Sequence, residues 1–435
     1  MNVAPAPMRI DVVTGPLDAD VAIPGSKSYS NRALVCAGLA AGTTTLVGLL
    51  DAEDTAAMMG CLRELGAGII AEEPLGEPDG SPTRCTVTGV GGHPEPGTHR
   101  LFVRESGTTA RFVAPICALG VGTYTLDAAP SMRARPMQAT FDALRGLGAG
   151  VVDDDGHLPA TITSTGVTGA ALDLSASSGG SSQFVSGLLL AGGAMGDGLS
   201  VSIGEAPVSA SYLQMTVAVM RSFGATVAMD GERITVEGGG YRAAELYRIE
   251  PDASAASYFF AAAAVCGGRV RVDGLGADSL QGDLGFIRVL ERMGAVVEAG
   301  ADFIEVRSDG RLHGVTVDMS DMSDTAQTLA AIAPFADGPT EVTGIGFIRH
   351  KETDRIAAVV TELRRCGIDA GETDDGFVIP PGAPAPTEIA TYGDHRMAMS
   401  FAIMGLVADG ISIGDPGCVA KTFPGFWDAL EALGP

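Results

Sequence analysis

Gly122-Thr123-Tyr124-Thr125-Leu126 is a glycine followed by β-branched residues in alternation, the pattern of a strand with one buried face. The same Gly-led run recurs at Gly42-Thr43-Thr44-Thr45-Leu46, Gly198-Leu199-Ser200-Val201-Ser202, Gly268-Arg269-Val270-Arg271-Val272, Gly338-Pro339-Thr340-Glu341-Val342 and Gly410-Ile411-Ser412-Ile413. About 20 to 25 residues after each, a helical stretch closes on an apolar residue followed four positions later by glycine: Leu62 to Gly66, Leu144 to Gly148, Met220 to Gly224, Leu290 to Gly294, Leu363 to Gly367 and Leu430 to Gly434. The spacing of roughly 70 to 80 residues exceeds that of ordinary solenoid repeats, so each copy reads as a small α/β unit. Six units around one centre would overfill a single core, whereas three and three make two domains of normal size. The segment Ala243 to Pro251 lies between the third and fourth copies and reads as a crossover. An N-terminal strand is expected over Ile10 to Val13, and its sequence assigns it to neither half.

Of 435 residues only three are lysine, and each lies in a short polar motif: Gly25-Ser26-Lys27-Ser28, Lys351-Glu352-Thr353-Asp354-Arg355 and Ala420-Lys421-Thr422-Phe423-Pro424. Arginine supplies nearly every other cation. Because a compact ammonium differs from a planar guanidinium in shape, hydration and ease of pKa tuning, the three lysines are candidate site residues. The formal net charge of −25 argues against a nucleic-acid surface or attraction to anionic membranes. An anion would have to be met by a few cations concentrated in one place. Seven scattered cysteines, with no CxxC pair and no Cys–His cluster at zinc spacing, read as buried thiols in a reducing compartment and give no metal site. No apolar run reaches spanning length, Tyr258 to Cys266 being too short. The expectation is a soluble, cytoplasmic monomer.

Pro24 to Arg32 places a glycine turn, hydroxyls and Lys27 before the apolar pattern of Ala33 to Leu39, which suits an anion cradle at a helix N-terminus; a plain N-capping serine is the alternative. Arg104-Glu105-Ser106-Gly107-Thr108-Thr109-Ala110-Arg111 repeats the theme, with Gly107 able to bring backbone N–H groups close to a ligand. Arg133-Ala134-Arg135-Pro136 supplies two guanidiniums suited to carboxylates. Ser181, Ser182 and Gln183 offer hydroxyl and amide groups, as do Ser209 to Tyr212. Asp318, Asp321 and Asp324 precede a helix expected over Thr325 to Phe335; Asp324 is read either as an N-cap or as a proton acceptor. Lys351 and Arg355 are expected one turn apart on one helix face. Asp394-His395-Arg396 opens a further helix.

Together, PGSKSYSNR, ESGTTARF, RARPM, SSQFVSGLLL, DTAQT, KETDR, GDHRMAMSFA and KTFPGFW resemble the 5-enolpyruvylshikimate-3-phosphate synthase family, in its order and over essentially the whole chain. The resemblance implies an inside-out α/β barrel fold of two domains, each of three βαβαββ units. Residues 1–25 and 248–435 would form one domain and 26–247 the other, with the active site in the cleft between them. It implies transfer of the enolpyruvyl group of phosphoenolpyruvate to the 5-hydroxyl of shikimate 3-phosphate, with no cofactor and no metal, and inhibition by glyphosate. Lys27 would touch both substrates. Ser28, Arg32, Ser181, Ser182, Gln183, Ser209, Tyr212, Asp324 and Lys351 would hold shikimate 3-phosphate. Phosphoenolpyruvate would meet Gly107, Thr108, Arg133 or Arg135, Gln183, Arg355, Arg396 and Lys421. Asp324 would take the hydroxyl proton and Glu352 would donate one to the methylene carbon. The chain departs from the family pattern at Arg104 and Glu105, where glycine and asparagine are usual, and at Phe347, where some members have asparagine. A sister reaction on another hydroxylated acceptor, such as UDP-N-acetylglucosamine, and a non-catalytic metabolite-binding scaffold are the alternatives.

Overall fold

The computed structural model describes residues 6–72, 83–175, 182–204 and 210–434. The chain divides into two compact units, Gly25–Glu250 and a second made of Met1–Pro24 with Pro251–Pro435.

In the unit Gly25–Glu250 each repeat builds a four-stranded sheet. The strands Gly97–Phe102 and Val121–Asp127 are parallel, joined through the helix Gly107–Leu119; His157–Thr165 then runs antiparallel to Val121–Asp127, and Gly150–Asp154 antiparallel to His157–Thr165. Gly169–Asp173, Gly198–Ser202, Arg233–Val236 and Val227–Asp230 repeat this order. In the first repeat the leading strand comes from the far end of the unit, as Leu246–Arg248 pairs parallel with Thr43–Val47. The presumed crossover Ala243 to Pro251 therefore contains a strand that closes its unit. Three of the leading glycines, Gly122, Gly198 and Gly268, are explained by neighbouring backbone: a Cβ on Gly122 would lie 2.0 Å from the Gly97 carbonyl oxygen.

The helices occupy the interior. Lys27–Leu39 is buried from Ser30 to Leu39 without an exposed face, as a helix packed on all sides must be. The strands alternate, as in His157–Thr165, with Leu158, Ala160 and Ile162 buried and Pro159, Thr163 and Thr165 exposed. Helices inside and half-solvated sheets outside make the unit an inside-out α/β assembly.

The second unit follows the same plan. Leu17–Asp20 pairs parallel with Gly268–Asp273, and Thr316–Asp318 with Thr340–Thr343. In the third sheet Met8–Arg9 runs antiparallel to Ile411–Ile413, itself parallel to Thr387–Ile389. The expected strand Ile10 to Val13 is not regular: Ile10 donates to Ile411 O and Val13 to Leu406 O, but strand geometry ends at Arg9. The expected helix Thr325 to Phe335 is α-helical only over Ala326–Ile332, with 3-10 turns before it and, around Pro334, after it. Pro334 has no N–H to continue the ladder. The helix after KETDR starts at Arg355, capped by Asp354, so Lys351 lies outside it and does not share its face.

Candidate active site

In the unit Gly25–Glu250, several helix N-termini meet around Lys27. Gly25 is required by its surroundings, since a Cβ there would fall 1.7 Å from the Gly48 carbonyl oxygen. Ser26 follows but makes no side-chain cap, which removes the plain capping reading. Lys27 Nζ lies 3.5 Å from Asp54 Oδ2, and Asp54 is buried in the first turn of Glu53–Glu64. The Asp54 carbonyl accepts from Thr109 Oγ1, which also donates to Ser106 Oγ, the N-cap of Gly107–Leu119.

Arg111, on that same helix, donates to Gln183 Oε1 at 2.6 Å and to the Pro136 carbonyl, and lies over the Phe184 ring. Gly107 carries the Arg135 guanidinium at its surface, since a Cβ would meet Arg135 Nη1 at 2.7 Å and Arg111 Nη1 at 3.1 Å. Arg133 is engaged elsewhere. Its Nε and Nη2 bond both oxygens of Asp127 at 2.9 and 2.8 Å. Asp127, one strand end earlier, separates the two arginines of RARPM.

Arg32 is buried and donates to Thr216 Oγ1 at 2.7 Å, to Ser186 Oγ at 3.4 Å and to the carbonyls of Ser28 and Tyr212. Its guanidinium rests against the rings of Phe112 and Tyr212. Burial lowers its pKa to about 10. Thr108 and Ser28 are half-buried, and Ser182 opens the helix Ser182–Gly192. Ser181 and Ser209 lie outside the described residues.

In the other unit, Asp324 and Glu352 are each held by cations and share one. Arg355 is 1% exposed; its Nε and Nη2 grip Asp394 at 2.7 and 3.2 Å, its Nη1 donates to Asp324 Oδ1 at 3.0 Å, and its Nη2 pairs with Glu352 Oε2 at 2.9 Å. Lys351 Nζ donates to Asp324 Oδ1 at 2.6 Å and to Ser323 Oγ. Arg396 Nη2 donates to Asp324 Oδ2 at 2.7 Å, and its Nη1 to the Tyr258 hydroxyl. Lys421 Nζ lies 3.6 Å from Glu352 Oε1. Asp324 caps no helix; its oxygens face cations instead.

The electrostatics follow from these contacts. Burial would raise the pKa of Asp324, but Arg396, Lys351 and Arg355 together carry it well below the usual carboxylate range. Burial lowers that of Lys351, opposed by Asp324. Arg396 and Arg355 lie above the ordinary arginine value because their carboxylates outweigh burial. Asp283, buried and hydrogen-bonded by Ser254 Oγ, is pushed up to about 6 by burial and then by Asp324. Among the described residues no group of three or more His, Cys, Asp or Glu side chains could hold a metal, and no helix is long and apolar enough to cross a membrane.

Each of the three lysines thus faces a carboxylate: Lys27 with Asp54, Lys351 with Asp324 and Lys421 with Glu352. Asp54, Asp394 and Asp283 were absent from the sequence-based site. Asp54 reads as an ordinary first-turn acid, and nothing in the sequence marks its burial. Asp394 stood in a noticed motif, where its place before His395 was the available signal.

Six α/β repeats, five with four-stranded sheets and one with a three-stranded sheet, and their buried acid–cation clusters define a transferase-like α/β protein. The family model described as EPSP synthase (3-phosphoshikimate 1-carboxyvinyltransferase) matches residues 13–430, and the chain belongs to that family. The 3-phosphoshikimate 1-carboxyvinyltransferase of Nostoc punctiforme is 44% identical over 423 residues, 97% of each protein. The solved EPSP synthase of Acinetobacter baumannii aligns with a TM-score of 0.81 at 29% identity, covering 99% of this chain and 98% of that one. The enolpyruvyl transferase NikO of Streptomyces tendae aligns at a TM-score of 0.75 and 18% identity, over 98% and 97% of the two chains, which shows a common fold alone.

Proposed function

We propose that this protein transfers the carboxyvinyl group of phosphoenolpyruvate to the 5-hydroxyl of shikimate 3-phosphate. Addition forms a bond from the hydroxyl oxygen to the central enol carbon, while the methylene carbon takes a proton and becomes methyl. Elimination breaks the carbon–phosphate ester bond, and that methyl returns a proton as inorganic phosphate leaves. No electron changes owner, so the work is acid–base chemistry and stabilisation of anions.

The observation that carries this reading is the shared guanidinium of Arg355, with Asp324 on one side and Glu352 on the other. Asp324 is assigned to the hydroxyl proton and Glu352 to the carbon. As it stands, Asp324 is a poor base, because three cations hold its pKa down. Phosphate and carboxylate groups of the substrates compete for Arg396, Arg355 and Lys351, and each cation they take raises the basicity of Asp324. Lys421 and Lys27 add charge for the donor, and Lys351 for the acceptor. Of the RARPM pair, Arg135 is assigned to phosphoenolpyruvate, because it lies on Gly107 while Arg133 is spent on Asp127. Ser28, Arg32, Ser182, Gln183 and Tyr212 are assigned to the acceptor.

The reading is of a monomer, which sedimentation tests. Seven free thiols, five buried and two half-buried, fit a reducing cytoplasm. The activity is tested by phosphate release from phosphoenolpyruvate with shikimate 3-phosphate or with UDP-N-acetylglucosamine. Release with the first acceptor alone is expected. Release with the second alone would move the chain to the sister reaction, and none with either would make it a scaffold.

A further inference from the structure

The helix Arg355–Arg365 carries a carboxylate that the proposed reaction leaves unused. Glu362 is fully buried, yet its oxygens are all engaged: Oε1 accepts from the Tyr392 hydroxyl at 2.7 Å, while Oε2 accepts from the Ala390 N–H at 3.0 Å and pairs with Arg365 Nη1 at 2.5 Å. Tyr392 has φ +57° and Gly393 φ +67°, and the Asp394 N–H donates to the Thr391 carbonyl at 2.9 Å. Residues 391–394 are therefore a tight turn with two left-handed central residues. Glycine takes that backbone freely, whereas a tyrosine does so at a steric cost. Tyr392 is 44% exposed, so its burial does not hold the turn. Its hydroxyl is anchored on Glu362.

Directly after the turn comes Asp394. It caps the helix His395–Gly405 by accepting from the Arg396 N–H at 2.9 Å, and it grips Arg355 with both oxygens. The turn therefore sets where that helix begins, and with it the two guanidiniums that hold Asp324. A non-glycine residue kept in a left-handed turn beside a cluster of functional groups is the kind of stored strain that marks a positioned site.

We propose that the Glu362–Tyr392 pair is a positioning device for the reaction: it holds the left-handed turn that seats Asp394, and through Asp394 it fixes Arg355 and Arg396 against Asp324. This rests on the assignment of Arg355 and Arg396 to phosphoenolpyruvate made above. Two substitutions separate the bond from the strain. Tyr392→Phe removes the hydroxyl and keeps the strain, whereas Tyr392→Gly removes both.

Steady-state kinetics and amide hydrogen exchange over residues 390–396 read the outcome. Tyr392→Phe should raise KM for phosphoenolpyruvate about fivefold to thirtyfold, the equilibrium factor a left-handed non-glycine residue carries, with KM for shikimate 3-phosphate changed less than about twofold. Exchange in the turn should quicken by a similar factor. Tyr392→Gly should return both to within about threefold of the unsubstituted protein. An unchanged KM in Tyr392→Phe, or a glycine variant as impaired as the phenylalanine one, would overturn the proposal. Failure of the proposed activity would show first in the unsubstituted protein, as no turnover at all. The exchange arm still decides then, because unaltered exchange in Tyr392→Phe means that the hydroxyl holds nothing.

Discussion

Arg32 and Arg355 are both buried on a helix, one in each unit, and burial lowers both, yet their pKa values end on opposite sides of the ordinary arginine value. Arg32 donates only to hydroxyls and carbonyls, and its pKa falls to about 10. Arg355 meets Asp394, Asp324 and Glu352, and rises above the ordinary value. The partner, not the depth, decides what a buried charge becomes. Around Arg32 the contacts are mostly hydroxyls and carbonyls. Around Asp324 the chain has built a dense ion network in which Asp324 and Glu352 are both counter-ions of Arg355.

The comparison predicts where substitution hurts most. Asp324→Ala and Glu352→Gln should lower turnover by roughly two to four powers of ten, while acceptor affinity stays within about tenfold, as expected of groups that act on protons in the transition state. Isothermal titration with shikimate 3-phosphate and steady-state rates separate the two quantities. If affinity fell as far as turnover, the ion network would be a binding device alone.

Stability should divide the two arginines next. Arg355→Met takes a shared cation from three carboxylates, and should cost about 3–5 kcal/mol in urea unfolding, against about 1–3 kcal/mol for Arg32→Met, which leaves only neutral acceptors unmet. Equal costs would erase the distinction drawn between the units.

Asp283 gives the comparison a pH dependence. Its pKa is raised in the folded state, so it holds its proton more tightly there than in the unfolded chain. The stability it contributes is full in acid and is lost as pH climbs from about 4 through about 6. Asp283→Asn, which still accepts from Ser254, should therefore unfold at higher urea than the unsubstituted protein at pH 8, by about 1–3 kcal/mol, and gain little at pH 4. The opposite slope would mean that Asp283 is stabilised as an anion by Arg396.

The smallest effect concerns Gly107. A methyl group there meets the end of the long Arg135 side chain rather than backbone, so Gly107→Ala should raise KM for phosphoenolpyruvate about threefold to tenfold and leave that for the acceptor near its starting value. Arg135→Ala should follow the same pattern and Arg133→Ala should not.

Much of the fold was legible because its constraints are local. Most of the glycines that lead the strands and stop the helices mark positions where a side chain would meet backbone or where φ is positive; Gly66, Gly148, Gly224, Gly294 and Gly367 all lie near φ +80 to +110°. The lysines were legible because the chain spares that residue elsewhere. What stayed hidden were the partners. Asp54, Asp283 and Glu362 look like ordinary acids in helical or turn sequence, and only packing from distant segments buries them. The choice between Arg133 and Arg135 rests on Asp127 in the preceding strand, and the expected helical face of Lys351 and Arg355 fails because Asp354 starts the helix after Lys351.

The central claim is that Asp324 passes from counter-ion to base when substrate anions take its cations. The pH dependence of kcat/KM reports the free protein and that of kcat the bound complex, so the acid limbs of the two profiles compare Asp324 in its two settings, once the separately titrated substrate ionisations are allowed for. The account predicts an acid limb at higher pH in kcat than in kcat/KM. A limb at the same pH or lower in kcat would contradict it, because Asp324 would then keep its cations throughout the reaction.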